Sequence, residues 1–191
     1  MTFRVLSVFG YMFRAMIAYG FRRIFRPRGL DAALEAAYLD WARHVLDVFD
    51  AELRVEGRER LPPVDGRRLV IVSNHQSQLD IPALVSVIGR RIGFVAKKEL
   101  GSVPLLNYWM RQIGCVFIDR ADRAGAHRAL EAAAQSMGAH PLVVFPEGTR
   151  SKDGRLLPLK LGGFRLAMLA GARLLPVHVE GTREAGENRA K

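Results

Sequence analysis

An apolar run, Leu69-Val70-Ile71-Val72-Ser73, passes directly into Asn74-His75-Gln76-Ser77-Gln78-Leu79-Asp80. In open α/β sheets, function gathers where strands end and loops begin. An imidazole at such a point can act as a general base. A carboxylate held against it would fix the tautomer, orient the ring and stabilise the imidazolium, as in the Ser-His-Asp triad. Pro82 suits the first turn of a helix, which places Asp80 near that helix's N-terminus. A tight turn would bring His75 and Asp80 together. Taken alone, the same spacing also reads as an N-capping Asp80 beside a loop histidine, and for a lone pair that is the commoner arrangement.

Two further apolar runs end in reactive residue types. Val116-Phe117-Ile118 is followed by Asp119-Arg120, which alone has the makeup of solvated loop charge or a local ion pair. Leu142-Val143-Val144-Phe145 is followed by Pro146-Glu147-Gly148-Thr149-Arg150. Gly148 permits positive φ or close backbone approach. Thr149 and Arg150 offer donors that can hold a phosphate, though a plain polar turn uses the same residues. The run Leu174–Val179 carries Pro176, which belongs at a sheet edge or bulge, and its His178 reads as structural. Other chemistries have no footing: there is no Walker P-loop, no G-x-G-x-x-G after a strand, no G-x-S-x-G elbow and no H-E-x-x-H. The single cysteine, Cys115, excludes an intramolecular disulfide and a Cys-based zinc site. It has no local base, so a covalent nucleophile is not supported. A reducing compartment is the simplest reading.

The elements that must position these residues follow from periodicity. Strands are expected at Leu53–Glu56, Leu69–Ser73, Gly93–Ala96, Cys115–Ile118, Leu142–Phe145 and Leu174–Val179. Helices are expected at Ile81–Ile88, Val103–Ile113, Ala121–Gly138 and Leu159–Ala170. Short apolar runs alternating with helices indicate an α/β fold with a mostly parallel sheet flanked by helices. Before this body come two helical patterns, broken at Pro27-Arg28-Gly29. The second runs through Leu34, Tyr38, Trp41, Val45, Val48 and Phe49, with Asp31 as its expected N-cap. The one boundary in the pattern lies near residue 52, separating an N-terminal helical element, 1–52, from an α/β domain, 53–191.

The chain's 191 residues suit one compact domain, and 49% hydrophobic with 25% charged residues excludes global disorder. Its net charge of +10 calls for an anionic partner, either nucleic acid or an acidic membrane surface. The excess is concentrated. Residues 1–29 hold six arginines and no acid. Read as a helix, Arg4, Ser7, Tyr11, Arg14, Ala18 and Arg22 fall on one side, and Leu6, Phe9, Phe13, Met16, Ile17 and Ile24 on the other. That is the pattern of a helix lying in a membrane interface. A marginal transmembrane span and an ordinary packing helix are the competing readings, and Arg14 interrupts the first of these. Nucleic-acid binding is disfavoured, because the charge sits on an apolar-faced segment and no recognition motif is present.

The strand ends together, in this order and spacing, resemble the lysophospholipid acyltransferase family, the bacterial 1-acyl-glycerol-3-phosphate acyltransferases in particular. Asn74-His75 with Asp80 resembles its N-H-x-x-x-x-D block, and Gly114–Arg120 its second block. Phe145–Ser151 matches F-P-E-G-T-R-S, and Leu175-Pro176-Val177 resembles the fourth. The similarity covers about Leu53 to Thr182. It implies the glycerolipid acyltransferase fold with an N-terminal two-helix membrane-binding element. It implies transfer of an acyl chain from acyl-CoA or acyl carrier protein to the sn-2 hydroxyl of lysophosphatidate, with no acyl-enzyme, no cofactor and no metal. A different acceptor, such as glycerol-3-phosphate, a lyso-ornithine lipid or another lysophospholipid, is the alternative. His75 would be the base and Asp80 its orienting partner. Lys97, Arg120 and Arg150 would contact the acceptor phosphate, and Glu147, Gly148 and Thr149 would shape its pocket. Arg4, Phe9, Phe13, Arg14, Ile17 and Arg22 would meet the membrane, at the cytoplasmic face of the inner membrane, as a peripheral or singly anchored protein. The family pattern continues past its fourth block with further strands, which the nine residues after Thr182 do not supply, so an open sheet edge is expected.

Overall fold

Valine- and leucine-rich runs, each closed by a turn, pair into one sheet in the computed structural model, which describes residues 2–187. The strands are β1 (Leu69–Ser73), β2 (Gly93–Lys97), β3 (Val116–Ile118), β4 (Leu142–Val144) and β5 (Arg173–Val177). Their order is β3-β2-β4-β1-β5, and every neighbouring pair is parallel. β1 and β4 are therefore interior strands, and all their residues are buried. Burial on both faces is why these runs read as unbroken apolar stretches without alternation. Val70 lies opposite Leu142 of β4 and Leu174 of β5. β5 is an edge strand, where the N–H that Pro176 lacks is tolerated.

The helices are α1 (Thr2–Phe25), α2 (Leu30–Val48), α3 (Asp80–Ile88), α4 (Pro104–Gln112), α5 (Arg123–Ser136), α6 (Gly162–Ala170) and α7 (Thr182–Glu187). The chain divides into two compact units. One, spanning Glu59–Gln76 and Ile92–Val179, holds the sheet with α4, α5 and α6. Val70, Val72 and Val144 project from one sheet face onto Leu130, Ala133, Ala134 and Met137 of the α5 segment and Leu166, Ala167 and Ala170 of α6. Each fully buried valine or leucine contributes about 1.5–3 kcal/mol relative to exposure. The small residues allow close approach. A Cβ on Gly163 would fall 2.8 Å from Val144 Cγ1, and one on Gly93 would fall 2.5 Å from the Gly114 carbonyl oxygen.

The second unit comprises the residues up to Arg58, Ser77–Arg91 and the segment from Glu180. In this unit α1 and α2 form an antiparallel hairpin. Ser7 Oγ lies 3.3 Å from His44 Nε2, and the Tyr11 ring stacks on His44 with centroids 4.7 Å apart. α2 buries Leu34, Tyr38, Ala42, Val45 and Leu46 and packs against α3.

Three local expectations are corrected, and one helix is unexpected. The N-cap of α2 is Gly29, with φ 72°, while Asp31 lies in the first turn and accepts from the Arg91 guanidinium at 3.0 Å. Leu53–Glu56 is irregular and takes no strand pairing. Its Leu53 and Val55 remain exposed, so no sheet face rewards their alternation. α6 starts at Gly162, three residues later than Leu159, and both Leu159 and Leu161 are exposed. α7 was not anticipated: six residues, one of them glycine, carry too little periodicity to read.

Candidate active site

The loops that leave β1, β4 and β5 are tied to one another by backbone-directed bonds. Glu147, only 3% exposed, is the central tie. Its Oε1 accepts the His75 N–H at 2.7 Å and its Oε2 accepts the Leu157 N–H at 2.9 Å. The His75 carbonyl accepts the Ser151 N–H at 2.8 Å. The Asn74 side-chain amide pairs in both directions with the backbone of Val179, at 2.8 and 2.7 Å. The half-buried His75 ring stacks on Phe145, with centroids 4.0 Å apart and planes 15° from parallel. The imidazole is thus set by the strand that carries it and by the strand beside it.

Gly148 has φ 72° and donates its N–H to the Phe145 carbonyl at 3.0 Å. A Cβ there would fall 2.8 Å from Lys160 Nζ. The Gly148 carbonyl accepts a hydrogen bond from Arg120. The structure therefore brings together four of the residues singled out from sequence: His75, Glu147, Gly148 and Arg120. Thr149 and Arg150 are exposed beside them in the chain. Lys97 does not join this set; it pairs with Glu99 at 3.0 Å. Asp119 pairs with Lys98 at 3.0 Å, and that hydrogen bond holds the Asp119 carboxyl below its usual range and raises the Lys98 ammonium. The ion-pair reading of Asp119 is the one realised. Burial pushes the Cys115 thiol up to about 12, so it supplies no thiolate at neutral pH.

Asp80 belongs to the other unit, as the first residue of α3, and is fully buried. Its Oδ2 accepts the Ser77 N–H at 3.0 Å, while Ser77 Oγ accepts the Leu79 N–H at 3.3 Å. The N-cap of α3 is Leu79, with no side-chain cap bond, so Asp80 is not the cap: as the first helical residue it reaches back to the turn before the helix. Oδ1, however, accepts the hydroxyl of Thr182, at the start of α7. Sequence reasoning passed over Thr182. The only signal was a hydroxyl residue shortly after the fourth apolar block.

On α1, Phe9, Phe13 and Ile17 are exposed, as are Arg14 and Arg22. Arg4 departs from the expected lipid-facing position. Its guanidinium lies over the Phe49 ring at 5.5 Å, and Nη1 is buried with no hydrogen-bond partner among the described residues. The attraction of a cation to a ring face explains the turn inward. Among the described residues, no helix is long and apolar enough to cross a membrane.

Comparison with known proteins follows the same residues. The Acyltransferase family pattern matches residues 52–180. The chain is 37% identical over 132 residues to the chloroplastic 1-acyl-sn-glycerol-3-phosphate acyltransferase LPAT1 of Arabidopsis thaliana, covering 69% of this chain and 36% of that protein. It is 37% identical over 121 residues to the 1-acyl-sn-glycerol-3-phosphate acyltransferase of Helicobacter pylori, covering 62% and 51%. It is 35% identical over 139 residues to the human 1-acyl-sn-glycerol-3-phosphate acyltransferase alpha, covering 70% and 47%. The matches thus span about half the length of these relatives, or less. The crystal structure of the 1-acyl-sn-glycerophosphate (LPA) acyltransferase PlsC from Thermotoga maritima superposes with a TM-score of 0.73 at 28% identity, covering 94% of this chain and 75% of that one.

Proposed function

Because the chain belongs to the Acyltransferase family, we propose that it transfers a fatty acyl group from a thioester of coenzyme A or acyl carrier protein to the sn-2 hydroxyl of lysophosphatidate, giving phosphatidate. The observation that carries this reading is the histidine block itself: His75 anchored by the buried Glu147, and Asp80 buried and doubly hydrogen-bonded five positions on. In the proposed reaction the acceptor oxygen attacks the thioester carbonyl. His75 takes the hydroxyl proton, the C–S bond breaks, and the proton passes to the departing thiolate. Asp80 is the acid partner assigned to His75. In this reading no acyl-enzyme forms and no cofactor takes part; Cys115, its thiol pushed up to about 12 by burial, is not the nucleophile. Arg120 and Arg150 are the proposed phosphate contacts, for the geometric reason that guanidinium matches phosphate. Lys97 would have to leave Glu99 to join them.

The proposed acceptor resides in a bilayer, and the exposed α1 surface supports docking on one; the face proposed is the cytoplasmic face of the inner membrane. Phe9, Phe13 and Ile17 offer apolar area to the acyl boundary. Arg14 and Arg22 each add about 1 kcal/mol of attraction to anionic lipid. Replacing Phe13 and Ile17 together by glutamate is expected to lower partitioning onto phosphatidylglycerol vesicles by about 100-fold, from the loss of two inserted side chains. Sedimentation with vesicles checks this, and unchanged partitioning would remove α1 from the membrane contact.

The test of the reaction is acyl transfer in anionic liposomes, with palmitoyl- and oleoyl-CoA and then acyl carrier protein as donors. Lysophosphatidate is run beside glycerol-3-phosphate and other lysophospholipids. Turnover confined to lysophosphatidate and absent from His75→Ala supports the reading. Equal turnover by the variant overturns it.

A further inference from the structure

α7 is seated on the turn that carries Asp80 by two contacts of different kind. Gly186 approaches so closely that a Cβ there would fall 2.8 Å from Ser77 Oγ and 3.3 Å from Leu79 Cδ1. Thr182, 7% exposed, donates its hydroxyl to Asp80 Oδ1. The other carboxylate oxygen accepts the Ser77 N–H, which belongs to the same turn. One donor is therefore local, three positions back in the turn that precedes α3. The second reaches across 102 positions of sequence. The turn itself uses no such second donor, and burying a hydroxyl to supply one has to serve another end.

A carboxylate offers about four lone-pair sites on two oxygens. The turn engages one of these oxygens, through the Ser77 N–H. The Thr182 hydroxyl engages the other, so the carboxylate is gripped at both oxygens from two elements. We infer that Thr182 is a positioning residue for the acyl-transfer reaction: its hydroxyl locks the plane of the Asp80 carboxylate, and α7, through Gly186, holds that hydroxyl in place. This rests on the reading of Asp80 as the partner of His75. In this inference Thr182 acts on the reaction through Asp80. Holding a group in its productive geometry is where small displacements become large rate effects.

Thr182→Ser and Thr182→Ala lose the same methyl group, so they differ by the hydroxyl alone. The expected result is kcat for Thr182→Ser within about 3-fold of the unsubstituted chain and for Thr182→Ala lower by about 10–100-fold, on the scale of a misplaced catalytic group. KM for lysophosphatidate should be the same in both. Equal kcat values in the folded serine and alanine variants overturn the inference, whatever their thermal midpoints. Should the alanine variant not fold, Thr182→Val, which restores the side-chain volume, is judged by the same criterion. The two readings fail separately. If the unsubstituted chain turns over and His75→Ala does not, the reaction stands and the Thr182 variants alone decide. If His75→Ala matches the unsubstituted chain, the reaction itself has failed.

Discussion

Replacing His75 by alanine is expected to cut acyl transfer by about 10³-fold or more while leaving a folded protein, since general base catalysis typically contributes 10²–10⁴-fold. The fold survives for a structural reason. Two bonds that tie the β1 loop to its neighbours use the His75 backbone: the N–H goes to Glu147 and the carbonyl accepts from Ser151. Alanine keeps both. What is lost includes the stacking of the ring on Phe145, worth about 1 kcal/mol beyond the area it buries. Activity and stability are therefore separable at this position. Parallel measurement of kcat and of the urea midpoint checks the separation. A variant that unfolds with its activity would place the ring among the structural elements.

Glu147 predicts the opposite balance. Glutamine offers one acceptor oxygen where glutamate offers two, and its NH₂ group must then face either the His75 or the Leu157 N–H. One buried N–H is left unsatisfied, at a cost of about 1–3 kcal/mol, and a hydrogen bond to a charged group is lost with it. A total near 3 kcal/mol is expected, against a typical stability of about 5–15 kcal/mol. Denaturant unfolding should show a lower midpoint at an unchanged slope. Acyl transfer should fall as well, because the bond that weakens is the one that sets the histidine loop. If Glu147→Gln unfolds at the same midpoint but loses activity, the residue belongs to the phosphate pocket expected from sequence, and its backbone bonds are incidental.

What could be read in advance was what neighbours in sequence decide. Interior parallel strands declare themselves as unbroken apolar runs, and β1 and β4 were legible for that reason. Chain-local punctuation placed α3, because Pro82 and the preceding Asp80 mark a helix start. Failures came where a distant partner decides. Leu53–Glu56 alternates like a strand, yet it pairs with no strand among the described residues. Asp31 is a good cap by type, yet it serves the Arg91 guanidinium instead. Arg4 fits the polar stripe of α1 by angle, and Phe49, 45 positions later, draws it inward. The site divides in the same way. The residue types that could take a proton were visible, as was a glycine turn suited to close approach. That Glu147 would bind backbone N–H groups, and that Thr182 would meet Asp80, depends on three-dimensional closure with no local trace.

The chain's single thiol also has an experimental meaning. With burial pushing Cys115 up to about 12, the reactive anion at pH 8 amounts to only ~10⁻⁴ of the thiol in the native protein. In the unfolded chain the ordinary value near 8.5 returns, and the anion becomes abundant. Alkylation of Cys115 is then a clock for opening of the sheet's β2–β3 end, where Cys115 immediately precedes β3. Its rate in the native protein, set against the rate for denatured chain, reads out how often that edge comes apart. The protein thus carries its own reporter of local unfolding, requiring no introduced label and touching none of the residues assigned to catalysis.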